Sequence, residues 1–221
     1  MFYGYSYLLL IVVTLVIGCV VSGYVNRQLS KYSRVPISNG LTGAEVAQQM
    51  LAFYQIPGVS VVCGTEGQDF FNPKNNTVSL SPSAYNGRSI TATATACHEV
   101  GHAYQYAEGY TPMKIRGALV PAVNLASNGW IFLLMLGIFM NLLPFVYLAI
   151  ILYGLVVAFQ LITLPVELNA SHRAMTYMES IALPQSEQSG AFSVLKACAY
   201  TYLAAALTSI LQLLWIIGRT R

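Results

Sequence analysis

Two polar stretches alternate with long runs that contain no charged residue. Residues 5–25, YSYLLLIVVTLVIGCVVSGYV, form the first such run, and about 20 apolar residues suffice for a helix to cross a bilayer. The uncharged run from Leu119 to Leu164 is too long for one crossing. Asn141 and Pro144 interrupt it, and proline breaks the helical hydrogen-bond ladder. The pattern therefore predicts two helices, 119–141 and 145–164, joined by a very short turn, and a last span over 197–218. Four crossings result, and the hairpin returns the chain to the side it left. The polar segments 26–117 and 165–196 are thus expected on one side of the membrane.

Within the first polar segment, Thr42-Gly43-Ala44-Glu45 reads as a capping box opening a helix that runs to about Tyr54. Pro57-Gly58 turns the chain, and VSVVC (59–63) and NTVSLS (76–81) have the character of short strands, with NPKNN (72–76) as a turn between them. A helix from about Ser89 to Glu108 follows, ended by Gly109. NTVSLS alternates Val78 and Leu80 with polar neighbours. Exposed beside that helix, Val78, Ser79 and Leu80 form a candidate platform for pairing with an extended peptide; packing of a small domain explains the alternation equally well.

Composition strengthens the membrane reading. Of 221 residues, 56% are hydrophobic and 9% charged, against about a quarter charged in a soluble domain. The net charge of +3 includes no basic tract, which argues against nucleic-acid binding. The two polar segments hold nine of the eleven Lys and Arg residues, so the positive-inside rule places them in the cytoplasm, although Arg219 and Arg221 pull the other way. Val16-Ile17-Gly18-Cys19 resembles a lipoprotein cleavage site, but no basic residue precedes Arg27, so the first span is expected to be retained. Cys19, Cys63, Cys97 and Cys198 show no paired spacing and are expected as free thiols.

The predicted helix 89–108 contains HEVGH, with His98 and His102 one turn apart on the same face. That spacing lets two imidazoles reach one zinc ion, while the intervening Glu99 can serve as general base. A zinc hydrolase needs a third protein ligand. His172, Asp69, Glu108, Glu167 and Glu179 are the candidates; the hairpin returns Glu167 to the membrane surface, which favours it, with His172 as the alternative. Ser171, four residues on, shares the face of Glu167 and can brace it or the histidines. His172, Arg173 and Tyr177 are on the segment from which an oxyanion donor would come.

GLTGAEVA (40–47), FFNPKNNTVSLSPSAYNGRSI (70–90), ACHEVGHAYQ (96–105) and LPVELNASHRA (164–174), in this order with apolar spans between them, resemble the YugP-type membrane zinc metallopeptidases. The resemblance covers nearly the whole chain. It implies a gluzincin-like peptidase with one zinc ion held by His98, His102 and Glu167, and with Glu99 as the catalytic glutamate. Asn169 stands where an Asp is usual, and His172 where a polar basic residue is frequent. The expected architecture is a mainly α membrane protein, folded as a single domain over 1–221, with about four transmembrane helices and a small α+β zincin-like domain at the membrane surface. The expected activity is zinc-dependent endopeptidase cleavage of a protein or peptide at the bilayer, in a multi-pass protein of a bacterial cell membrane. An inactive metal-binding scaffold and an intramembrane protease are the competing readings; Arg88, Gln105 and Glu108 make the HEVGH helix too polar for an ordinary span.

Overall fold

The computed structural model describes residues 2–218. Arg219 and Arg221, which bear on the topology, lie outside the described residues. Among the described residues, four helices are long and apolar enough to cross a membrane: α1 (Phe2–Tyr32), α5 (Thr111–Phe139), α6 (Leu143–Ser180) and α7 (Gln185–Gly218). Between α1 and α5 lie α2 (Gly43–Phe53), strands β1 (Ser60–Cys63), β2 (Phe70–Asn72) and β3 (Thr77–Leu80), the short α3 (Pro82–Tyr85), and α4 (Ile90–Ala107).

Local chemistry sets most boundaries. Thr42 caps α2 by accepting from the Glu45 amide, and the Glu45 carboxylate accepts from the Thr42 amide in return. Ser89 caps α4 by accepting from the Ala92 amide. Gly109, at φ 70°, closes α4: its amide donates to Tyr106 and the Tyr110 amide donates to Gln105, the paired bonds of a left-handed C-terminal cap. Asn141, at φ 55°, performs the same turn after α5, with the Leu142 amide donating to Gly137. The hairpin turn expected at Asn141 and Pro144 is therefore three residues long.

Two expectations need correction. First, the helix predicted over 145–164 does not end at Leu164. One helix, α6, runs unbroken from Leu143 to Ser180 with Pro165 inside it. Pro165 removes one N–H from the ladder, but Val166, Ala170, Ala174, Tyr177 and Met178 then bury a stripe at helical spacing that stabilises the continuation. Second, Phe70–Asn72 is a third strand, and the turn NPKNN joins it to β3 rather than joining β1 to β3. The sheet order is β1-β3-β2, parallel on one side of β3 and antiparallel on the other.

Helix α4 lies at the centre of the main core. Small residues, Ala92, Ala94, Ala96, Gly101 and Ala103, are buried along it, and it contacts α2, the sheet, α6 and α7. The core around it draws on Val46, Met50, Leu80, Val100, Tyr177 and Val194. A smaller apolar cluster around Tyr153, Val157 and Ile216 joins α6 to α7 farther from the sheet. On α1, Leu8, Leu9, Leu15, Val16 and Val20 are exposed, an apolar surface suited to lipid.

The backbones of α4 and α6 also approach closely. A Cβ built on Gly101 would stand 2.6 Å from the Ala170 carbonyl oxygen and 3.1 Å from its Cα. Backbone cannot yield there as a flexible side chain would. Gly101→Ala is expected to push the helices apart and destabilise the fold by about 1–3 kcal/mol, as overpacking does; thermal unfolding of the detergent-solubilised protein measures it.

Candidate metal centre

Helical spacing sets His98 and His102 on the face of α4 that meets α6, with their rings 4.7 Å apart and nearly perpendicular. Glu167 approaches from α6, 2% exposed. Its Oε2 lies 3.1 Å from His98 Nε2 and 3.5 Å from His102 Nε2. One ligand atom from each of the three residues lies within 4.8 Å of the others. Two imidazoles and a carboxylate on a shared point form a donor set suited to zinc.

The other ring nitrogens are also partnered. Ser171 Oγ is 3.2 Å from His98 Nδ1. His102 Nδ1 is 3.0 Å from the Gln105 side-chain oxygen. Amide oxygens accept, so His102 carries a proton on Nδ1, and Nε2 is the atom directed at Glu167. Gln105 is fully buried and donates in turn to the Val166 carbonyl at 2.7 Å and to Asn169 Oδ1 at 2.9 Å. The donor set and its orientation both fit a bound metal.

Glu99 is buried beside this group, within electrostatic reach of His98, His102, Glu167 and Asp69. Burial pushes its carboxyl above the ordinary carboxylate range, against the opposing pull of the two histidines. His102 is also shifted upward: burial works against its charged form, but the hydrogen bond to Glu167 and the charges of Glu99 and Glu167 outweigh it.

The remaining sequence candidates separate cleanly. Arg173 does not face the metal group: its Nε donates to Asn169 Oδ1 at 2.7 Å, its Nη2 bonds Glu108, and its guanidinium lies 4.2 Å over the Tyr104 ring. It fixes Asn169 instead of offering an oxyanion donor. Asn169 accepts from both Gln105 and Arg173, a task its amide oxygen performs without a carboxylate's charge. Tyr177 is buried in the core. His172 is exposed and lines a largely apolar groove of about 570 Å³ between α6 and α7, together with Leu168, Ser171, Phe192 and Leu203. Asp69 accepts from the Ser81 amide.

Val78, Ser79 and Leu80 cannot serve as the expected substrate strand. They are buried on β3, the central strand, whose two edges are already paired with β1 and β2. Sequence alternation gave the strand but not its neighbours.

Gln105, Arg116 and Tyr202 were missed. Arg116 of α5 brings Nη2 to 4.0 Å from Glu167 Oε1, and the Tyr202 hydroxyl of α7 also interacts with Glu167. Only Gln105 left a trace in the sequence, as a polar residue three positions after His102 on an otherwise apolar face. Gln105→Leu keeps the volume while removing three hydrogen bonds. It is expected to weaken zinc binding roughly 10–100-fold, read by chelator competition on the purified protein.

The chain's similarities agree with the site. The family described as "Putative neutral zinc metallopeptidase" matches residues 7–221. "Putative membrane protease YugP" of Bacillus subtilis (strain 168) is 43% identical over 194 residues, spanning 86% of this chain and 85% of the relative. No solved structure matches. A match over nearly the full length, with two histidines and a glutamate brought together inside it, means that the chain belongs to this zinc metallopeptidase family.

Proposed function

We propose that the protein is a membrane-bound, zinc-dependent endopeptidase that cleaves protein or peptide substrates beside the bilayer. The observation that carries this reading is the meeting of His98 Nε2, His102 Nε2 and Glu167 Oε2 at one buried point, with Glu99 in the same pocket of charge. His98, His102 and Glu167 would hold one zinc ion. Zinc bound there supplies a Lewis acid that polarises a peptide carbonyl and makes water a stronger acid at neutral pH.

Glu99 takes the proton of the attacking water and returns it to the leaving amine. Burial raises its carboxyl above the ordinary carboxylate range, the direction that helps a general base keep the proton it takes until the amine leaves. Ser171 and Gln105 hold the two rings so that Nε2 of each stays directed at the metal position. Burial keeps competing water away and strengthens each of these interactions.

The site's position supports catalysis at the membrane surface rather than within the bilayer. Helix α4 is not among the four helices apolar enough to span, and Glu167 follows the uncharged stretch of α6 instead of interrupting it. The concentration of Lys and Arg in the segments that carry the site supports a cytoplasmic orientation.

Two variants separate binding from chemistry. Glu99→Gln is expected to keep its zinc while peptide cleavage falls by roughly 10²–10⁴-fold, the usual contribution of a general acid–base; undiminished cleavage of an unstructured reporter, read by mass spectrometry, would remove Glu99 from that role. Glu167→Ala is expected to lose its zinc on dialysis, measured by metal analysis, and full retention would transfer the third-ligand role elsewhere.

A further inference from the structure

The Glu167 carboxylate is shared between two tasks. Its Oε2 faces both histidine Nε2 atoms, at 3.1 and 3.5 Å. Its Oε1 faces Arg116 Nη2, at 4.0 Å. Arg116 sits near the start of α5, on a different membrane-length helix from Glu167, and its side chain is two-thirds shielded. Its Nε is buried without a hydrogen-bond partner among the described residues. It also lines, with Gln105, Phe71 and Lys114, a cavity of about 370 Å³ between the sheet and the start of α5. A guanidinium is costly to bury without a carboxylate to face, and Glu167 is the carboxylate it faces.

From this we infer that Arg116 is the positioning residue of the third metal ligand. Its charge faces Oε1 across 4.0 Å, an ion pair without a hydrogen bond, and draws that oxygen away from the histidines so that Oε2 is presented toward them. A free carboxylate can offer either oxygen or both to a metal; one whose Oε1 is drawn to a guanidinium offers one. The remaining coordination position is then left for water and substrate, which a hydrolytic site requires. Arg116 also ties the metal centre to the α5–α6 hairpin, so the start of the first hairpin helix sets the geometry of a ligand on the second.

This role rests on the zinc reading proposed above. The test uses full-length protein in detergent and compares wild type, Arg116→Met, Arg116→Gln, Arg116→Lys and Glu167→Ala. Zn²⁺ affinity is measured by chelator competition, and the visible spectrum is recorded after Co²⁺ substitution. The two neutral variants are expected to bind Zn²⁺ roughly 10–100-fold more weakly. Their Co²⁺ absorption is expected to weaken, as it does when coordination rises above four. Lys, which restores the charge, recovers affinity and much of the spectrum. A general loss of fold stability would not change the Co²⁺ spectrum of the protein that remains folded. If either neutral variant folds and matches wild type in affinity and spectrum, Arg116 has no such role. Should wild type bind no Zn²⁺, or Glu167→Ala bind it as wild type does, the metal site itself fails, which is a different result.

Discussion

The close crossing of α4 and α6 at Gly101 and Ala170 is the constraint on which the rest of the site depends. Gly101 lies between the two histidines in HEVGH, and Ala170 lies one turn after Glu167. A side chain at Gly101 would separate the backbones, so His98, His102 and Glu167 meet because this position is a glycine. Gln105 bonds across the same crossing to Val166 and Asn169, and Ser171 bonds back to His98. Each cross-link joins a residue on one helix to the partner helix within about a turn of the contact. The distances in the metal group are thus set by backbone packing, with side chains only refining them.

That packing brings an unusual amount of charge into a small buried volume. Glu99 and Glu167 are both nearly inaccessible, and His102 is buried beside them. Two buried carboxylates are unfavourable unless cations or donors face them. His98, His102 and Arg116 provide part of this compensation, and a dication would provide more. The same electrostatic need explains why the histidines' outer nitrogens are engaged: a ring free to rotate would lose the direction of its Nε2 toward Glu167.

The surroundings divide the labour. The Tyr54–Tyr104 stack and the Arg173 guanidinium over Tyr104 buttress the end of α4 and fix Asn169. Helices α5 and α7 supply Arg116 and Tyr202 to the far side of Glu167. The helices with membrane-crossing character are therefore part of the site's wall and not merely its anchor.

The sequence by itself determined whatever acts within a few residues. The Thr42 and Ser89 caps, the Gly109 and Asn141 turns, the apolar runs and the one-turn spacing of His98 and His102 all follow from local sterics and hydrogen bonding, and all stand in the structure. Glu167 was within reach because a hairpin must return the chain, and Ser171 because it shares a helical face with Glu167. What lay beyond reach depended on residues far apart in the chain. Pro165 ends no helix, because a stripe buried against α4 outweighs one lost hydrogen bond. The strand of Val78 looked open on one edge until β2, 6–8 residues upstream of Val78, paired with it. Arg173 turned from a candidate donor into a support for Asn169, and Arg116 became a neighbour of Glu167, because helix packing decides which way a long side chain finds its partner. Periodicity fixes the face of a helix; only tertiary contact decides what that face meets.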